Sequence, residues 1–132
     1  MVGADTNVVV RLFLTDDEEH HRIAVAFFNE RSRASPAFIC LVVVVEIVWV
    51  LSRIYKLPRS KVLEVVNSLT RRPDIVFEDA GMVEHLLERA AATKADLADL
   101  LIASVNARGG CESTVTFDRK AARRVPGMTL LS

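Results

Sequence analysis

The chain has 132 residues, 51% of them apolar, and its 17 acids balance 17 bases. That length suits one domain, and that apolar share excludes a disordered chain. No apolar run reaches the roughly 20 residues of a membrane-spanning helix, and zero net charge removes any argument for a nucleic-acid partner from overall charge alone.

Met1–Ala4 reads as a short first strand with Asp5 at its carboxyl end. Asp5-Thr6-Asn7 can turn the chain into Val8–Leu14, and Asp5 is then an Asx-type cap as readily as a functional acid. The acidic run Asp16–Glu19 precedes Ile23, Ala24, Ala26, Phe27 and Phe28 at helical spacing, and acids suit a helix start. His20 and His21, beside those acids, are expected in solvent. After Ser35-Pro36, Ala37–Leu51 begins as a β-branched run of the kind that fills a buried parallel strand. Its second half fits a strand or a buried helix, and periodicity does not decide between them. Ile47, Trp49 and Val50 are expected in the core.

Pro58 and Ser60 open a helical stretch over Lys61–Leu69 that Arg71-Arg72-Pro73 ends. Ile75–Phe77 is a strand, and Ala80–Ala92 a helix with Val83, Leu86, Leu87 and Ala90 on one face. The next helix runs to Arg108, with Leu100, Leu101, Ala103 and Ala107 toward the core and Gly109-Gly110 as its stop. Glu112–Phe117 is a strand ending in Asp118, Arg119–Arg124 a basic helix halted by Pro126-Gly127, and Met128–Leu131 a last strand. Strands alternating with helices predict an α/β fold around a mostly parallel sheet. Cys40 and Cys111 lack metal-like spacing, and Cys40 is expected as a buried free thiol. The N-terminus lacks a basic stretch followed by an apolar signal core, so a cytoplasmic location is expected.

Carboxylates on four separate segments stand apart. Asp5 and Asp118 end apolar strands, and in open α/β sheets ligand sites form outside the carboxyl ends of strands. Glu46 is the one charge in Ala37–Leu51, where an ionised carboxylate needs a salt-bridge partner, an exposed edge or a metal. Asp96 and Asp99 fall roughly 60° apart at the start of an apolar helix. An N-cap and a favourable acid in the first turn account for that pair as well as a functional site does. Hard oxygen groups without Cys or His fit Mg²⁺ or Mn²⁺ and argue against zinc. Such an ion bridges carboxylates to phosphate oxygens and lowers the pKa of a water in its shell, which suits phosphodiester hydrolysis. No Ser, Cys or His triad and no phosphate-binding glycine loop is present. Arg53, Lys56, Arg59 and Lys61, and again Arg119, Lys120, Arg123 and Arg124, could hold a polyanion through its phosphates or could be solvated faces.

The segments GADTNVVVRLF around Asp5, VVVVEIVWVL around Glu46, KADLADLLIASVNARGGC around Asp99 and TVTFDRKAAR around Asp118 follow one another over nearly the whole chain. As a set they resemble the PIN-domain nucleases, specifically the VapC-like toxins of prokaryotic toxin–antitoxin pairs. The resemblance implies a single PIN domain over residues 1–132, a three-layer α/β/α sandwich around a short, mostly parallel sheet, and a helix at Glu46. It implies Mg²⁺- or Mn²⁺-dependent endoribonuclease activity, with Asp5, Glu46, Asp99 and Asp118 catalytic and Asp5 and Asp99 the principal metal ligands. Glu46 is then the acid that completes the pocket directly or through water, and Asp118 reaches the metal through water or holds a second ion. Thr116 and Asn7 match polar positions that assist the pocket and the first turn, and Asp96 is a cap or an outer ligand. The implied partners are an RNA substrate, a second copy in a homodimer, and a cognate small antitoxin whose tail enters the acidic pocket.

Two other classes stand beside this one. A phosphate-receiving signalling domain needs an acid pair after its first strand and an Asp at the end of a middle strand. Here Thr6 and Asn7 follow Asp5, and the middle carboxylate is Glu46. A non-catalytic assembly domain, whose acids bind a metal or a basic partner tail, stays open on sequence alone.

Overall fold

The alternation of short apolar strands and longer amphipathic helices carries through to the structure. A computed structural model describing residues 1–132 contains β1 (Val2–Gly3), α1 (Thr6–Phe13), α2 (Glu18–Asn29), β2 (Ala37–Ile39), α3 (Leu41–Trp49), a π-helical turn (Val50–Ile54) and α4 (Arg59–Thr70). It continues with β3 (Ile75–Phe77), α5 (Ala80–Ala92), α6 (Leu97–Arg108), β4 (Thr114–Thr116), α7 (Arg119–Arg124) and β5 (Met128–Leu130). The fold is α/β, and every strand pair is parallel. The strands form two sheets where one was expected, β1-β2-β3 and β4-β5. The chain divides into two compact units, Met1–Ala80 and Gly81–Ser132, each holding one sheet. No helix is long and apolar enough to cross a membrane.

In the first unit β2 is the middle strand, pairing Ala37 with Val2 on one side and with Ile75 on the other. Ala37 and Ile39 are fully buried, which explains the apolar start of the run. The run then turns helical at Leu41, although Val42–Val45 favour strands. Packing overrides that preference: Val43, Val44, Ile47, Val48 and Leu51 form one buried stripe at helical spacing. The Cys40 side chain makes no cap bond to α3. Glu78, just past β3, supplies one instead, its Oε1 accepting the Leu41 N–H at 2.9 Å. Trp49 does not join the core as expected. It lies about 170° around the helix from the centre of the buried stripe, and it is 48% exposed.

Helix α2 closes the unit from another side with Ala24 and Phe28. Asp17 caps its start by accepting the His20 N–H at 3.0 Å, and His21, expected in solvent, bonds the Arg11 carbonyl through Nδ1 at 2.7 Å. Phe28 meets Phe27 edge to face at 5.1 Å, and the Arg72 guanidinium lies 5.3 Å from the Phe28 ring centre. Arg72 also makes a two-point pair with Asp74, Nε to Oδ1 at 3.0 Å and Nη2 to Oδ2 at 2.7 Å. Those hydrogen bonds hold the Asp74 carboxyl below the usual aspartate range. A carboxylate with a depressed folded pKa contributes its full stabilisation above its unfolded pKa and loses it as pH falls through the folded value. The pair is therefore expected to weaken below about pH 4. Urea unfolding of the wild type and Asp74→Asn checks this: the stability gap should be wide near neutrality and shrink in acid, and a gap independent of pH would contradict it.

In the second unit α5 buries Met82, Val83, Leu86 and Ala90, and α6 buries Leu97, Leu100, Leu101 and Ala103. Ala107, expected on the same face, is exposed in the last turn. Asn106 ties α6 to β4 by donating Nδ2–H to Thr114 Oγ1 at 3.0 Å. Gly127 has φ 90°, a left-handed turn that returns the chain from α7 to β5, and its carbonyl accepts the Thr114 N–H at 2.8 Å.

Candidate active site

Asp5 stands where β1 runs out. The Ala4 N–H still reaches the Phe38 carbonyl at 2.9 Å, and α1 begins at Thr6. Asp5 is the N-cap: its Oδ1 accepts the Thr6 N–H at 2.8 Å. The cap and the candidate acid are thus one residue, and the cap fixes the carboxylate's rotamer at the carboxyl end of the strand. Thr6 is the buried polar residue of the core, and its Oγ1 donates to Glu46 Oε2 at 2.5 Å. The residue directly after Asp5 therefore orients the carboxylate on α3. Glu46 itself is exposed, so its charge is met by solvent and a hydroxyl. The exposed edge allowed by the sequence is what the helix supplies.

Sequence reasoning did not single out Thr6. The available signal was weak, a hydroxyl after a strand-end acid, and its partner lies 40 residues away. Asn7 is exposed, and it lines a cavity of about 570 Å³ in the first unit together with Gly3, Ala4, Val8, Arg11 and Phe27. The cavity takes its wall from both sides of Asp5 in sequence.

The second unit holds the other acids. Asp96 is the N-cap of α6, its Oδ1 accepting the Asp99 N–H at 3.1 Å, and Asp99 lies in the first turn of that helix. The plain account of the pair therefore holds for both residues, Asp96 as the cap and Asp99 as the acid of the first turn. Asp118 caps α7, its Oδ1 accepting the Lys120 and Ala121 N–H groups at 2.8 and 3.0 Å. Thr116 Oγ1 accepts the Asp118 N–H at 3.1 Å, so this hydroxyl anchors the acid two residues on.

All candidate ligands are carboxylate oxygens, a donor set that suits a hard divalent cation and not a thiophilic one. No group of three or more His, Cys, Asp or Glu side chains gathers in the structure as a ready metal cage. The structure joins Glu46 to Thr6, Asp96 to the Asp99 backbone and Thr116 to the Asp118 backbone. Cys40 is a free thiol, half-buried where burial was expected, and Cys111 is free and exposed.

No individual curated protein matches the chain. The PIN domain family model matches residues 4–127, a span that begins just before Asp5 and includes Glu46, Asp99 and Asp118. PIN domains are in general metal-dependent nucleases with a three-layer α/β/α architecture. With nearly its whole length matched, this chain belongs to the PIN domain family.

Proposed function

We propose that the chain is a Mg²⁺- or Mn²⁺-dependent endoribonuclease, working as one domain over residues 1–132 and acting as the toxin of a toxin–antitoxin pair. Family membership supports the nuclease class. The single structural observation that carries the reading is the Thr6–Glu46 hydrogen bond directly beside Asp5. It brings an exposed carboxylate under control at the start of the helix that Asp5 caps. A divalent ion held by Asp5 and Asp99, with Glu46 and Asp118 completing the set, would offset phosphodiester charge and activate water. The chain's own contribution is orientation. Caps fix the rotamers of Asp5 and Asp118, Asp96 fixes the turn that presents Asp99, and Thr6 fixes Glu46.

The partners in this reading are an RNA, a second copy of the chain and a small antitoxin. Exposed apolar side chains on α2, such as Ile23, give a homodimer interface its apolar part. A guanidinium from the antitoxin can take the ion's place among the carboxylates through two-point hydrogen bonds. The setting is the cytoplasm.

Thr6→Val removes the donor to Glu46 and keeps the shape. Groups that orient ligands from outside the first coordination shell typically contribute roughly 10- to 100-fold. A loss of that size in kcat/KM is expected, with Thr6→Ser recovering most of it. Equal activity in Thr6→Val and wild type, by steady-state cleavage of a labelled RNA, would remove Thr6 from the site. The toxin role is tested by induced expression in a bacterium. Growth arrest is expected from the wild type and not from Asp99→Asn, and arrest by both would contradict the role.

A further inference from the structure

The core takes up Ile47, Val48 and Leu51 and leaves Trp49, the one tryptophan of the chain, half outside. Trp49 follows Glu46 by three residues, so the two share the outward face of α3, about 4.5 Å apart along the axis and roughly 60° apart around it. Val42, one turn earlier, is exposed on the same face. Immediately after Trp49 the helix widens into the π-helical turn Val50–Ile54, closed by the Tyr55 N–H on the Val50 carbonyl at 3.1 Å. Such turns are rare and often mark functional sites. The segment ends on Lys56 at φ 53°, a left-handed conformation that a residue with a Cβ rarely adopts. Lys56 follows the C-cap Tyr55, the position at which helices commonly end in this conformation, and the Leu57 N–H closes on the Leu51 carbonyl at 3.0 Å. The Tyr55 hydroxyl accepts from Arg11 Nη2 at 3.2 Å, which ties this segment to the end of α1.

Charge along the segment has one sign. Val50–Lys61 carries Arg53, Lys56, Arg59 and Lys61 and no Asp or Glu, and Arg53 and Lys56 are exposed. An aromatic face followed by cations is the arrangement that binds single strands, with bases stacking on the ring and phosphates following the cations. An apolar protein partner would not call for that run of positive charge.

We propose that Trp49 is a stacking platform for a nucleobase of single-stranded RNA beside the bond to be cut, with Arg53 and Lys56 following the phosphates away from Glu46. This rests on the nuclease reading and adds a subsite to it. Because every base has a π-face, the platform contributes affinity and positions the strand without reading a sequence.

The lone tryptophan is its own reporter. Asp99→Asn, in which cleavage is silenced, is titrated with a short oligoadenylate while Trp49 emission is followed, and binding is measured in parallel by anisotropy of a labelled strand. Saturable quenching is expected in step with binding. Trp49→Ala should bind roughly 10- to 100-fold more weakly and cleave with a raised KM, while Trp49→Phe, which keeps a stacking face, should recover most of the affinity. Because Trp49 lies on the surface, circular dichroism of the variants should match the wild type. Binding by anisotropy with unchanged emission and unchanged Trp49→Ala affinity would overturn the platform and leave the nuclease reading standing. Emission that follows protein concentration and not RNA would assign Trp49 to a contact between copies of the chain, which also overturns it. A wild-type protein that neither binds nor cleaves RNA would overturn the nuclease reading, and the platform with it.

Discussion

Asp5→Asn and Asp99→Asn are each expected to lower RNA cleavage by at least about 100-fold, since removing even an outer-shell partner of a metal ligand costs up to that much. Both substitutions keep size and shape and remove one charge. Asp5 caps α1 through Oδ1, and asparagine caps as well as aspartate, so the helix start survives. Asp99 lies in the first turn of α6, where replacing the acid forfeits roughly 0.3–1 kcal/mol of favourable interaction with the helix dipole. Neither change reaches the stability of an ordinary domain. Circular dichroism and thermal unfolding should therefore resemble wild type while cleavage is lost. If both purified variants still cut RNA, these residues are not the site, whatever the family.

Phe28→Ala is expected to be the most damaging single truncation in the first unit, at about 3–5 kcal/mol. Phe28 is 1% exposed, meets Phe27 edge to face, and carries the Arg72 guanidinium above its ring. Truncation opens a cavity in α2 and also strips the cation of its aromatic face. Because Arg72 orients Asp74 at the entry to β3, the loss should pass into the three-stranded sheet. Urea denaturation at neutral pH measures it as a lower midpoint with an unchanged slope. A loss below about 1 kcal/mol, the level of an average substitution, would mean that Phe28 does not hold the unit together.

Where breakers bracket a periodic run, the sequence was legible to the residue. Ile75–Phe77, Ala80–Ala92 and Arg119–Arg124 form as their flanking Pro, Gly and charged residues indicate. The run Ala37–Leu51 was not legible in this way. When every side is apolar, the hydrophobic pattern identifies no inward face, so neither the switch from strand to helix at Leu41 nor the outward side of Trp49 follows from periodicity. The resemblance to a family supplied the helix at Glu46 but not the surroundings of that residue. The strand-end acids Asp5 and Asp118 were readable because a carboxylate closing an apolar strand is conspicuous in one dimension. Thr6 was not, because its role consists of one hydrogen bond to a residue 40 positions away. The same limit applies to Glu78, whose bond to the start of α3 spans 37 positions. The proposed site chemistry also overlaps with capping. Asp5, Asp96 and Asp118 each cap a helix, so the plain account of these acids and the functional one are not alternatives.

Metal-dependent cleavage of RNA by the carboxylates is tested by incubating purified protein with a defined set of structured RNAs in Mn²⁺, in Mg²⁺ and in chelator, beside Asp99→Asn. Discrete cuts that need the metal and vanish in the variant are the predicted result. Cuts that persist in chelator or in the variant would contradict it.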